Sequence, residues 1–384
     1  MRRIAFFILA ACLALPPAAR ADRIEKQVSV TAGQQLDIDL ESGGAITIRG
    51  GDDRTASFTV DREGRDAAET EVTIEATSGG GARIATRHVG RRDSYSTNLR
   101  IDIRLPQRFS VHLKSMGGSV HLAGLDGKFE GTTMGGDLEL SELNGEAHLK
   151  TMGGDVRVSK SKLDGRITTM GGKVQLEDIE GNLQGHSMGG TVTYQNVRGG
   201  KEGSRGDSSR GAVVMSSMGG DLRVEDAPAG AELRTMGGNV RVRSAAKYVK
   251  ATTMGGDIEI DRVDGRVDAT SMAGDIKVTL VEGSGGSAAE PHDVKLDSKS
   301  GELHLAVPAD LAMDIDIQLF YTRASRRNYR VHSDFPLKIE ESSEWDTTHG
   351  SPRKLIHATG RQGAATHRIE LSCINGDVYL TRAQ

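Results

Sequence analysis

The chain has 384 residues, 49 of them glycine, with 4 % aromatics and 8 prolines. Glycine stands at nearly twice its ordinary share of roughly 7 %, yet the scarcity of proline excludes both collagen and Pro-rich disorder. A formal net charge of -4, built from interspersed acids and bases, excludes the strongly basic footprint that nucleic-acid binding requires.

Arg2 and Arg3 precede an apolar run from Ile4 to Leu15. Pro16 and Pro17 break that run, and Ala19-Arg20-Ala21 offers a small-x-small cleavage site before Asp22. This pattern predicts a secretory signal peptide over 1–21. Leu9-Ala10-Ala11-Cys12 resembles a lipoprotein cleavage box, but the cysteine comes early and leaves a short apolar region, so simple cleavage is favoured over lipidation at Cys12. No other stretch approaches the ~18 apolar residues of a membrane span. Beyond residue 21 the chain keeps only Cys373, which excludes an internal disulfide framework.

Residues 22–100 read as an N-terminal β cap. Leu40-Glu41-Ser42-Gly43-Gly44-Ala45-Ile46-Thr47-Ile48 is a degenerate copy of a unit that becomes regular later, and strand-rich stretches follow at 72–87 and 100–105.

The segment 101–281 repeats. Met116, Met134, Met152, Met170, Met188, Met218, Met236, Met254 and Met272 each precede Gly-Gly, or Ala-Gly in the last copy. The interval is 18 residues except between Met188 and Met218, where a Gly/Ser/charged insertion at 199–210 accounts for 12 more. In a unit such as 137–154, positions 2 and 4 are apolar (Leu138, Leu140), position 7 is usually apolar (Leu143) and position 9 is often glycine (Gly145). Position 15 is Ser or Thr in every copy: Ser115, Thr133, Thr151, Thr169, Ser187, Ser217, Thr235, Thr253 and Ser271.

Apolar residues two apart mark strands with one buried face. Glycines near the middle and end of each unit supply two sharp turns. One unit is too short to bury its own face, so neighbours must stack. The expected fold is therefore all-β: a single-stack β-solenoid, or β-helix, of about 18 residues per coil with irregular β caps. Nine coils at roughly 4.8 Å would span on the order of 40 Å. Helices are excluded, because glycine at this density costs about 1 kcal/mol per site in a helix.

Residues 282–384 read as a C-terminal β region and cap. A Gly/Ser-rich stretch at 282–289 leads to the copy Ser298-Lys299-Ser300-Gly301-Glu302-Leu303, and Cys373-Ile374-Asn375-Gly376-Asp377-Val378 closes the chain.

The run Thr151-Met152-Gly153-Gly154-Asp155-Val156-Arg157-Val158 resembles the bacterial β-strand-repeat family known as "putative adhesins", of unknown function. So do Leu105-Pro106, Val307-Pro308 and the ending at 369–378. This family is similar to the LiaG-like, toast-rack group of envelope proteins. The resemblance covers roughly 25–382 and implies a β-solenoid exported to, or exposed at, the cell envelope, with no catalytic residues. The regular methionine and the 12-residue insertion depart from the family pattern.

The methionine row supports three readings: a corner of the core, an exposed contact stripe, or soft thioether ligands for Cu(I). Strict alternation from the Ser/Thr turns the methionine outward unless the Gly-Gly turn shifts the phase. Gly185-His186-Ser187-Met188-Gly189 matches the G-x-S-x-G nucleophile elbow, but its serine is position 15 of the repeat, where an inward hydroxyl ladder is the expected role. Asp137, Asp155, Asp221, Asp257 and Asp275 follow the glycine pairs. They read as turn caps, because Ser119, Lys173, Thr191 and Asn239 interrupt the row that a Ca²⁺ stack would need. Position 3 (Glu139, Arg157, Gln175, Arg223, Arg241, Glu259, Lys277) reads as a charged outer face. Arg205-Gly206-Asp207 is attributed to chance, and Cys373 reads as a small buried thiol. No histidine spacing suggests metal ligation, and no cofactor is expected.

These features point to an exported, non-enzymatic envelope protein of the periplasm, outer membrane or cell surface. Its expected partner is an envelope or surface component, protein or polysaccharide, through ladder-like faces. The rival readings are a self-associating envelope scaffold and a carbohydrate-active β-helix enzyme. An enzyme should interrupt the repeat where unlike acids converge, yet the insertion holds only Glu202 and Asp207.

Overall fold

A computed structural model describes residues 22–52, 54–64, 67–90, 97–198, 212–281, 292–325, 327–347 and 351–383. The signal-like segment with Cys12, the insertion with Arg205-Gly206-Asp207, and the stretch 282–289 lie outside the described residues.

The described chain is all-β; its one helical element is the short 3₁₀ turn Ala67–Glu69. Within the repeat, parallel strands pair with a register offset of eighteen, so that Phe129 lies beside Ala147 and Leu138 beside Val156. The strand that runs into the Met-Gly-Gly turn stacks on one face: Ser110–Ser115, Asp126–Thr133 and Asn144–Thr151, then 162–169. The strand that leaves the turn stacks on the other: Val120–Ala123, Leu138–Ser141 and 156–159, then Val174–Glu180. Across the insertion the register steps by thirty, with Gly185 beside Met215, and the ladder continues.

Burial follows the spacing. In the unit 137–154, Leu138, Leu140, Leu143, Ala147, Leu149 and Thr151 point inward at 0–3 % exposure. Six inward positions per unit, stacked on their equivalents above and below, form one continuous core. No single unit could exclude water from it.

The stacking extends past the regular repeats and, at both ends, departs from chain order. At the N-terminal end, Ala82–His88 lies outside Gln35–Leu40, and Asn98–Pro106 lies outside Ala45–Gly51. Thr70–Ala76 on one face, and Thr55–Glu63 with Asp22–Ser29 on the other, close that end antiparallel. At the C-terminal end, His367–Ile374 inserts between Val294–Ser298 and Met313–Thr322, while Val378–Arg382 inserts between Leu303–Val307 and Val331–Ser333. Arg353–Arg361 and Lys338–Glu341 then finish one face antiparallel. Each parallel ladder holds fourteen strands among the described residues, which at about 4.8 Å gives a stack of roughly 60 Å. Nine units alone suggest a shorter one, because the cap strands carry little of the repeat's glycine signature.

Candidate functional site

Each unit's Met-Gly-Gly turn is built around the position-15 hydroxyl. Thr169 donates to the Gly154 carbonyl of the preceding unit (2.8 Å) and accepts from its own Gly172 amide (3.1 Å). Ser187, Thr235, Thr253 and Ser271 repeat the donation to the preceding unit. Ser115 and Thr133, at the start of the row, donate instead within their own turns. These hydroxyls are 0–6 % exposed, and each is satisfied by backbone it also locks. Cys373 takes the same place in the strand His367–Ile374 and donates to Gly376 (3.1 Å); burial pushes its thiol up to about 12.

The next residue must face out, because successive side chains in a strand alternate. That residue is methionine. Met116, Met134, Met188, Met218, Met236, Met254 and Met272 are 42–58 % exposed, while Met152 and Met170 are half-buried. Hydrogen bonds join the row: the Met152 amide donates to Thr133 (3.2 Å) and the Gly219 amide to Met188 (2.9 Å). The nine thioethers thus form a ridge along the turn edge, outside the core. By contrast Met215 and Met313, which belong to no turn, are 0–1 % exposed.

The two glycines have different reasons. A Cβ at the second would stand 1.9–2.2 Å from the carbonyl oxygen of the unit below, as at Gly154, Gly172 and Gly238, so backbone approach forbids any side chain. At the first, a Cβ would meet nothing within 4 Å at Gly135 or Gly153. Hence Ala273, Ser300 and Asn375 occur at the first position but no residue other than glycine at the second.

Beside the ridge, aspartates cap the turns. Oδ1 of Asp155 accepts the Lys173 amide (2.7 Å), and Asp137, Asp221, Asp257 and Asp275 accept equivalent amides at 2.7–2.9 Å. Among the described residues no group of three or more His, Cys, Asp or Glu is arranged to hold a metal ion. The outer face at position 3 carries cross-unit pairs, including Arg157 with Gln175 (2.8 Å) and Arg241 with Glu259 (3.4 Å). Exposed pairs of this kind are worth roughly 0.2–1 kcal/mol each.

The G-x-S-x-G match is not a nucleophile elbow. Ser187 is 4 % exposed and its hydroxyl is engaged by Gly172 and Gly190. His186, on the opposite side of the strand, contacts Ser216 Oγ (2.5 Å), and burial followed by the Arg166 charge lowers its pKa. Gly185 is explained by packing, which the sequence did not suggest. Its amide donates to the Tyr194 hydroxyl (2.6 Å), and the Tyr194 ring, 1 % exposed, fills the space a larger residue would take.

Solved structures similar to this chain include a "putative cell adhesion protein" from Clostridium sporogenes (9 % identity, TM-score 0.22, covering 95 % of this chain and 100 % of that one). A "putative adhesin" from Parabacteroides distasonis is 13 % identical, with TM-score 0.36 over 75 % of this chain and 98 % of that one. A further "putative adhesin", from Bacteroides fragilis, is 14 % identical, with TM-score 0.29 over 74 % and 97 %. No curated protein matches the sequence. The family model Toastrack DUF4097 matches residues 190–381, half of the chain, and the chain belongs to that family.

Proposed function

We propose that this chain is an exported, non-enzymatic binding module of the cell envelope whose contact surface is the methionine ridge. In this reading the molecule is a single-stack β-solenoid of about 18 residues per coil, with a cap at 22–100, regular coils at 101–281 and a C-terminal β region at 282–384. The signal-like pattern at 1–21 supports export.

The observation that carries the reading is the exposure of seven ridge methionines at 42–58 %, where neither the turn nor the core requires a thioether. Flexible, polarisable side chains at one fixed spacing suit an adaptable apolar contact with an extended envelope or surface partner, protein or polysaccharide. These side chains are half exposed, so covering one contributes about half of the 1.5–3 kcal/mol of a full burial, and several must engage together to offset the cost of association. Engagement of the Ser187 hydroxyl by backbone weighs against catalysis.

The test is co-sedimentation of the purified protein with bacterial envelope fragments. Replacing Met188, Met218, Met236 and Met254 by Gln should reduce the bound fraction at least tenfold. Mild peroxide should reproduce the loss by converting exposed thioethers to polar sulfoxides, while sparing buried Met215 and Met313. Equal sedimentation of the wild type and the Gln variant would exclude the ridge as the contact surface.

A further inference from the structure

Aromatic residues are scarce in the regular units and crowded in the C-terminal cap. Phe320, Tyr321, Tyr329, Phe335, Trp345 and Tyr379 all lie within sixty residues, in a chain that is 4 % aromatic overall. The segment 322–333 carries Arg323, Arg326, Arg327 and Arg330 and no acid, although the whole chain is net acidic. The fold brings two of these tyrosines and two of these arginines to one cavity of about 420 Å³ at the end of the stack. Tyr321, Tyr329 and Ile339 supply its apolar wall, Arg327 and Arg330 its cations, Glu341 one carboxylate and Asn328 a neutral polar group.

The wall is set by contacts of its own. Tyr321 donates its hydroxyl to Glu341, which raises the phenol to about 12 and keeps it protonated. The Trp345 ring stands edge-on to Tyr321 at 5.7 Å, with Lys354 over its face at 5.4 Å. Ser325 donates to the Tyr329 hydroxyl (3.0 Å). Ile339 is 53 % exposed on a terminal strand whose four residues are all exposed. Among the described residues, neither the Arg327 nor the Arg330 guanidinium has an ion-pair partner.

We infer that this cavity binds an acidic saccharide: a pyranose ring against the tyrosines and Ile339, with its carboxylate held by Arg327 and Arg330. Ligand sites combine an apolar, aromatic lining with a few convergent polar groups, and this volume falls within their usual range of roughly 300–1,000 Å³. The guanidinium fork matches a carboxylate bidentately, and it does so without a metal. Glu341 also lines the cavity, with its carboxylate accepting from Tyr321, so two arginines against one carboxylate leave the cavity with a net positive charge. A neutral glycan would leave those cations uncompensated. The cavity is independent of the methionine ridge, and the two stand or fall separately.

Isothermal titration of the full chain with hexameric oligogalacturonate, oligoguluronate and hyaluronan hexasaccharide, with maltohexaose as the neutral control, tests the assignment. At least one acidic oligomer should bind, more weakly as salt rises, and maltohexaose should not. Arg327→Gln/Arg330→Gln should weaken that binding at least tenfold and Tyr329→Leu about as much, with an unchanged Tm for the exposed arginine pair. The Met188→Gln/Met218→Gln/Met236→Gln/Met254→Gln variant should bind like the wild type, which separates this site from the ridge. Three results overturn the inference: no acidic oligomer binds, binding survives Arg327→Gln/Arg330→Gln, or phosphatidylglycerol vesicles bind through these arginines while the oligomers do not.

Discussion

At the scale of single residues, the paired glycines of the turn differ in what they tolerate. Gly237 and Gly238 are neighbours in one unit. A Cβ on Gly237 would stand 3.7 Å from Met218 O, an ordinary contact, whereas one on Gly238 would stand 2.2 Å from Gly220 O. Forcing atoms into a packed site costs typically 1–3 kcal/mol, and backbone on both sides gives this site little room to relax. Gly238→Ala should therefore lower stability by about 2 kcal/mol or more and Gly237→Ala by less than about 1 kcal/mol, read from urea midpoints. The reverse order would refute the close-approach account. The sequence made both glycines visible but suggested one reason for them, turn conformation. Only the distance between successive backbones separates the two, and no spacing in the chain encodes it. The opposite corner was less legible still. Glu142, Lys160, Asp178 and Asn196, all at position 6, hold φ between 48° and 55°, a left-handed bend with no shared residue type to announce it.

At the scale of the strand, alternation decided most of what could be read in advance. It placed positions 2, 4 and 15 inward and turned methionine outward provided the Gly-Gly turn kept the phase, while the inward places of Ala147 and Leu149, at positions 11 and 13, came from the structure. The same rule separates His186 from Ser187, which the motif match had made adjacent in meaning as well as in sequence. His186 stands half-buried against Ser216, with its pKa lowered by burial and by Arg166. Above pH 6.5 it is neutral both folded and unfolded, and its contribution to stability is complete. As pH falls below 6.5 the unfolded chain takes up the proton first, so stability declines until the lower folded value is passed. His367, lowered by burial and by His292, adds in the same direction. Urea unfolding should thus show stability falling from pH 7 toward pH 5, above the range where carboxylates titrate. His186→Gln should flatten part of that slope while retaining a partner for Ser216. An unchanged slope would mean that the ring is hydrated in the folded protein.

At the scale of the whole molecule, the caps distinguish this chain from a plain stack. Both ends contain strands that the chain order does not predict, because a later segment returns to pair inside or outside an earlier one. Regular spacing cannot reveal this: degenerate copies such as 298–303 and 373–378 were recognisable in the sequence, but their neighbours in space were not. The physical reason for the arrangement is the exposed edge. A parallel stack ends in unpaired amides and carbonyls on both faces, which invite pairing with another molecule. Here antiparallel strands cover both faces at the N-terminal end and one face at the C-terminal end, where the other face finishes on the three-residue strand Val331–Ser333. The last strands of the chain hold the C-terminal cover in place. Val378–Arg382 pairs with both Leu303–Val307 and Val331–Ser333, and His367–Ile374 with both Val294–Ser298 and Met313–Thr322. Their inward side chains Ile369, Leu371, Cys373, Val378 and Leu380 are at most 1 % exposed. Deleting 367–384 therefore removes the middle of the cap rather than its rim. The strands beyond lose their parallel partners, and the apolar ladder at Leu296 and Leu303 opens to water. Light scattering should find the truncated protein in concentration-dependent aggregates, while a chain lacking only residues 383 and 384 stays at the size of the full-length protein. A truncated protein that matches full length in size and Tm would mean that the intercalated strands are dispensable, and that the edge is protected by other means.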